Sequence, residues 1–123
     1  MIGEEEQSQG FDEVLVKFKE MLHLNDEVMI KLYTKFFETM AVTIETLKDA
    51  IAAEHYDAIK LHAHSVKGTS LSLCYNNMSK IAEKIEKKAE ASEQYEYEKA
   101  FSELLALFNT AHDDYALWMH KRG

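Results

Sequence analysis

Seven apolar residues, Ile30, Tyr33, Phe37, Met40, Ile44, Leu47 and Ile51, are separated by steps that alternate between three and four. This spacing places all seven on one stripe of an α-helix about six turns long. Near the C-terminus the pattern recurs in Tyr97, Phe101, Leu104, Phe108, Ala111, Tyr115 and Trp118. A helix with one apolar face is stable only when something covers that face. The 123 residues include no proline and four glycines, and two of these, Gly3 and Gly123, lie near the ends. Little interrupts a helix in such a chain, and the connections must be short.

The remaining segments read in the same way. Residues 1–10, MIGEEEQSQG, form a flexible lead-in, and residues 11–123 form a single domain. Phe11, Leu15, Phe18 and Leu22 give a short first helix, after which Asn25 and Asp26 supply capping side chains. A further helix starts between His55 and Asp57. Asn76 and Asn77 mark another cap, followed by a helix carrying Met78, Ile81, Ile85 and Ala89, and Ser92 ends that pattern. No segment alternates with period two for long enough to form a strand. The spacing predicts an all-α fold: an up-down antiparallel four-helix bundle, with the additional short N-terminal helix packed across one end. A bundle of this length closes its own core, so a monomer is expected; a dimer through the N-terminal helix is the alternative.

Charge narrows the function. The formal net charge is −8 and no basic stripe offsets it, which argues against nucleic acid as a partner. Lys84, Lys87 and Lys88 are interleaved with Glu83, Glu86 and Glu90, the composition of a solvated helix face with internal charge pairs. Cys74 is the only cysteine, so there is neither an internal disulfide nor a cysteine-based zinc site, as suits a reducing compartment. No apolar run is long enough to span a bilayer, and the acidic N-terminus is unlike a secretory signal. These features point to a cytoplasmic protein that makes no membrane contact.

The stretch HSVKGTS, His64 to Ser70, puts a glycine inside a helical pattern. Glycine there costs about 1 kcal/mol relative to alanine. Val66, Ser70 and Leu73 keep helical spacing past it, so the helix is expected to run on to about Leu73. On a helical wheel Ile59, His62, Val66, Thr69, Ser70 and Leu73 share one side, with Ala63 at its edge. Small residues on that side let the helix approach partners rich in Phe, Tyr, Met and Trp. Asp57, Lys60, Leu61, His64, Lys67, Gly68 and Leu71 lie opposite, on the outer face. A water-exposed imidazole has a neutral fraction at pH 7, and neutral imidazole is a nucleophile. Lys67 is within reach of an anionic group carried on that ring, and Gly68 leaves open space beside it. This combination fits a phosphoryl acceptor better than a metal ligand. His62 and His64 point apart and no HxxxH pair exists, so no metal is expected. His62 reads as a packed, hydrogen-bonded histidine, and Cys74 as a small half-buried residue.

His64-Ser65-Val66-Lys67-Gly68-Thr69-Ser70, preceded by Ala63, resembles the HxxKGxS signature of histidine-containing phosphotransfer domains. The likeness runs from about Val28 to Leu117, taking in the long apolar helix before the motif, the Ile85-Glu86 pair after it and the final aromatic helix. The resemblance implies a four-helix bundle with the active histidine exposed on its second helix. That histidine takes a phosphoryl group from the aspartate of one receiver domain and passes it to another. His64 matches the phosphorylated position, Lys67 the lysine that steadies the phosphoryl group, Gly68 the glycine that clears room for the receiver, and Ser70 the small polar position packed toward the bundle. The chain departs from the family in two places. Cys74 stands in a turn where many members have glycine, and His55 stands where they often have an acidic or amide residue.

The chain carries no glycine-rich nucleotide loop and no carboxylate cluster suited to Mg²⁺. The expected role is therefore a stoichiometric carrier without ATPase or kinase activity and without a cofactor of its own; Mg²⁺ would sit on the partner receiver. The expected partners are receiver domains of hybrid histidine kinases and response regulators, docking on Lys60, Leu61 and Leu71 around His64. The alternatives are a docking module of the same fold that is never phosphorylated, and a fragment of a larger hybrid kinase.

Overall fold

The computed structural model describes residues 25–122 together with Val16, Lys17 and Glu20. Four helices follow one another: α1 (Asp26–Ala52), α2 (Tyr56–Ser72), α3 (Asn76–Glu90) and α4 (Tyr97–Arg122). There is no strand among the described residues. Connections of three, three and six residues turn each helix back on the last, giving the expected up-down antiparallel bundle. α2 packs against α1 and α3, and α4 closes the bundle against α3 and α1. The N-terminal stripe Phe11, Leu15, Phe18 and Leu22 and the lead-in 1–10 lie outside the described residues.

Both long stripes face inward. Tyr33, Phe37, Met40, Ile44, Leu47 and Ile51 of α1 are buried, as are Tyr97, Phe101, Leu104, Phe108, Ala111 and Tyr115 of α4. Ile30 and Trp118, at the open ends of their seams, are half-buried. Met29, Phe36 and Ala50 widen the α1 seam beyond a single line of residues. Aromatic rings carry much of the core: Phe37 lies 5.2 Å from Tyr115 and 5.8 Å from Phe108, and Phe36 lies 5.3 Å from Tyr75. The Tyr115 hydroxyl donates to the Ile30 carbonyl at 3.1 Å and is hydrogen-bonded to Thr34 Oγ1 at 2.7 Å, fastening α4 to the first turns of α1. Against these large side chains α2 presents Ala63, Val66 and Ser70, all fully buried.

The helix ends share one device. Glu54, Cys74 and Ser92 take left-handed φ values of 54, 66 and 52°, each two residues past a helix. Beside each, the next residue donates back across the turn: His55 to Ala50, Tyr75 to Ser70 and Glu93 to Lys88. Three Schellman caps are therefore built without glycine. The position where the family often has glycine, Cys74, adopts the conformation that glycine takes freely. Asn25 caps α1, its side chain accepting from the Val28 amide at 2.9 Å. Asn76 and Asn77 do not cap α3. They are its first two residues, and the N-cap is Tyr75, which makes no side-chain capping bond. His55 caps α2 and likewise makes no side-chain capping bond.

Candidate functional site

Helix α2 runs unbroken through Gly68, so the two sides expected from the wheel are both present. Ile59, Ala63, Val66 and Ser70 are buried, and Lys60, Leu61, His64, Gly68 and Leu71 are exposed. The His64 side chain is 65% exposed on the outer surface, midway along the helix. Lys67, one turn on, is partly covered by α3. His62 is half-buried at the edge of the bundle. It is packed only in part, where the sequence reading expected a packed, hydrogen-bonded histidine on the core side.

Glu86 of α3 is central to the site. Its side chain is only 13% exposed, and each carboxylate oxygen meets one residue of the α2 motif. Oε2 lies 2.7 Å from His64 Nδ1, and Oε1 lies 2.7 Å from Lys67 Nζ. An ionised carboxylate only accepts hydrogen bonds, so Nδ1 is the nitrogen that carries the hydrogen. Nε2 then keeps the lone pair. Burial pulls the Glu86 carboxyl upward, but the hydrogen bonds from Lys67 and His64 outweigh it and hold the group below the ordinary carboxylate range. The hydrogen bond to Glu86 raises Lys67 above the ordinary lysine range. Both groups of the pair are charged at neutral pH.

The other expected site residues fall around this centre. Asp57, Lys60, Leu61, His64 and Glu86 line a shallow cleft between α2 and α3. Lys60 Nζ lies 3.4 Å from Glu90 Oε2, a second bridge between the two helices. Leu61 and Leu71 are 61% and 57% exposed on the same face of the helix as His64. A Cβ added at Gly68 would meet nothing within 4 Å, and its φ is not in the left-handed region. Nothing in the free protein requires glycine there. Ser70 is fully buried, and its hydroxyl has no hydrogen-bond partner. It faces the bundle and does not reach the site, so the structure brings together His64, Lys67, Gly68, Lys60 and Leu61 but not Ser70. Cys74 is half-buried in the α2–α3 turn.

Sequence reasoning missed Glu86 as a site residue by treating all the charges of α3 as one solvated face. That reading holds for Glu83 and Lys87, an exposed pair at 3.3 Å. It fails for Glu86, which neighbours the buried seam Ala82, Ile85 and Ala89 and so points into the α2–α3 interface. Two signals were available: adjacency to that seam, and the Ile85-Glu86 pair within the family likeness.

The Hpt domain family matches residues 31–114, more than half of the chain. Searches of curated proteins and of solved structures gave no significant match. No helix among the described residues is long and apolar enough to cross a membrane. An exposed histidine, a lysine one turn on and an open glycine sit on the second helix of a four-helix bundle, within the matched residues: this chain belongs to the Hpt domain family, the histidine phosphotransfer domains of phosphorelays.

Proposed function

We propose that this chain is a phosphorelay carrier that accepts a phosphoryl group on Nε2 of His64 from a receiver-domain aspartate and passes it to the aspartate of a response regulator. The observation that carries this reading is the state of His64: exposed, tied through Nδ1 to Glu86 at 2.7 Å, and flanked by Lys67. Phosphoryl transfer needs in-line positioning and charge stabilisation more than covalent machinery. His64 supplies the nucleophile and later the leaving group. Lys67 offsets negative charge on the transferring oxygens. Gly68 leaves the helix surface low where the receiver must come close, and Lys60, Leu61 and Leu71 surround the point of contact. In this scheme the receiver brings the acidic pocket and its Mg²⁺, and the chain acts once per phosphoryl group without ATPase or kinase activity of its own.

The test is transfer of label from a prephosphorylated receiver to the wild-type chain and to His64→Gln. Acid-labile, base-stable label on the wild type alone supports the reading. Label that persists in the variant moves the acceptor to another residue. No label from a panel of receivers, nor from a small phosphoramidate donor, would leave a docking module that is never phosphorylated.

A further inference from the structure

We propose that Lys60 is a second cation for the phosphoryl group: it is stored on Glu90 in the free chain and moves to the phosphoryl oxygens when His64 is phosphorylated. The inference rests on the phosphotransfer reading of His64 and goes beyond it by giving Lys60 a contact with the transferred group itself.

Lys60 and Lys67 flank His64 on the outer face of α2, four residues before it and three after. Both are tied to α3, but unequally. Lys67 Nζ lies 2.7 Å from Oε1 of the largely buried Glu86. Lys60 Nζ lies 3.4 Å from Glu90 Oε2, and these two side chains are 46% and 63% exposed. Pulling Lys67 away would strand a carboxylate that little water can reach, which is costly. An ion pair standing in water is weak, and water takes over its carboxylate when it opens. Lys60 is therefore the lysine that is free to move. Lys67 stays in place and offers only the N–H groups that Glu86 leaves unused.

The phosphoryl group supplies the reason to move. Lys60 and His64 line the same cleft between α2 and α3, with Asp57, Leu61 and Glu86. A phosphoryl group on the ring brings roughly two negative charges and three acceptor oxygens to that cleft. The carboxylates of Asp57, Glu83, Glu86 and Glu90 already surround it, against the ammonium groups of Lys60 and Lys67. With Lys67 committed to Glu86, Lys60 is the charge left to offset the newcomer, and at equal distance a dianion attracts it more strongly than the single charge of Glu90 does. Lys60 forms no covalent bond in this scheme, and it returns to Glu90 when the phosphoryl group leaves for the next receiver.

The experiment labels the full-length chain with phosphoramidate alone, so that no receiver docks on Lys60. Wild type is compared with Lys60→Gln, Glu90→Gln, the double variant, and Lys87→Gln, which removes the same charge from an exposed pair within α3. Lys60→Gln should label about two- to fivefold more slowly, the range that one exposed charge pair is worth. Glu90→Gln releases Lys60 and should label faster by up to the same factor, a gain that vanishes in the double variant. Lys87→Gln should match wild type. The Lys60 Nζ resonance of the wild type should shift on phosphorylation of His64. If Lys60→Gln labels at the wild-type rate, or if both single variants move the rate in the same direction, the bridge only clamps α2 to α3 and the proposal is overturned. A gain from Glu90→Gln that persists without Lys60, or a Lys60 resonance that does not move, would overturn it as well. A wild-type chain that takes no label would remove the phosphotransfer reading itself, an outcome distinct from wild type and Lys60→Gln labelling alike.

Discussion

Replacing Gly68 with alanine should make the protein more stable and a worse carrier at the same time. Gly68 lies inside α2, four residues short of its last residue, Ser72, with an ordinary φ and open space where a Cβ would stand. Glycine in a helix interior costs about 0.8–1 kcal/mol relative to alanine, mainly through the freedom it has in the unfolded chain. With no clash to offset that gain, Gly68→Ala should raise stability by about 1 kcal/mol. For a domain of this size this corresponds to roughly 3–5 °C in Tm, read from thermal unfolding by circular dichroism. The methyl group projects from the face that carries His64. If a receiver packs closely there, forcing in one carbon costs about 1–3 kcal/mol, or roughly five- to 150-fold in transfer rate. Time-resolved transfer from a phosphorylated receiver measures it. A variant less stable than wild type would show that the glycine serves the fold. A variant that is more stable but transfers at the wild-type rate would refute the clearance argument, because a stability cost would then stand in the helix without return.

Further outcomes follow from the same geometry. Ser92→Gly should stabilise the fold by about 0.5–1 kcal/mol, since this exposed residue holds a left-handed φ that glycine adopts without strain; urea midpoints check this. Ser70→Ala should leave phosphotransfer unchanged and stability either unchanged or higher by up to about 1 kcal/mol, because the buried hydroxyl it removes has no partner. The Glu86 carboxyl is held below its ordinary range, so its contribution is present above the unfolded-state carboxylate value and is lost as pH falls through the folded value. The stability difference between wild type and Glu86→Gln should accordingly shrink in acid, measured by denaturant unfolding at neutral pH and again well below the ordinary carboxylate range.

The helices were legible because the bundle has one core and each helix buries one stripe, so period alone locates them. The seams of α1 and α4 could be read almost residue by residue, losing only Ile30 and Trp118 at their ends to partial exposure. The caps were less legible, for a reason that lies in the short turns. In each three-residue connection, the residue that completes the Schellman cap of one helix is also the N-cap of the next: His55 between α1 and α2, Tyr75 between α2 and α3. Tyr75 is then claimed by the core, with its ring 5.3 Å from Phe36. Asn76 and Asn77, the residues with capping chemistry, are pushed inside the helix. Local propensity pointed to the right turn but could not see that the cap position was already taken by packing.

The site divides along the same line. His64, Lys67 and Gly68 lie within five residues on one helix, so spacing alone puts them on one face. Glu86 is 22 residues further on, and its place depends on how α3 is laid against α2. That register is set by the turn. The pairs His64–Glu86 and Lys60–Glu90 are both symmetric about Tyr75, as mirror positions must be in an antiparallel hairpin whose tight turn ends there. The turn length thus decides which α3 residue stands opposite the histidine. The seam Ala82, Ile85 and Ala89 decides whether that residue points across or outward. Position 86 meets both conditions, and of the acidic residues on α3 it alone is largely buried. Glu83 and Glu90 carry the same charge but stand out in water, at 49% and 63% exposure. A carboxylate placed by helix register against the edge of a core can hold a ring in one tautomer; the same carboxylate one turn away on the open face would be screened and mobile.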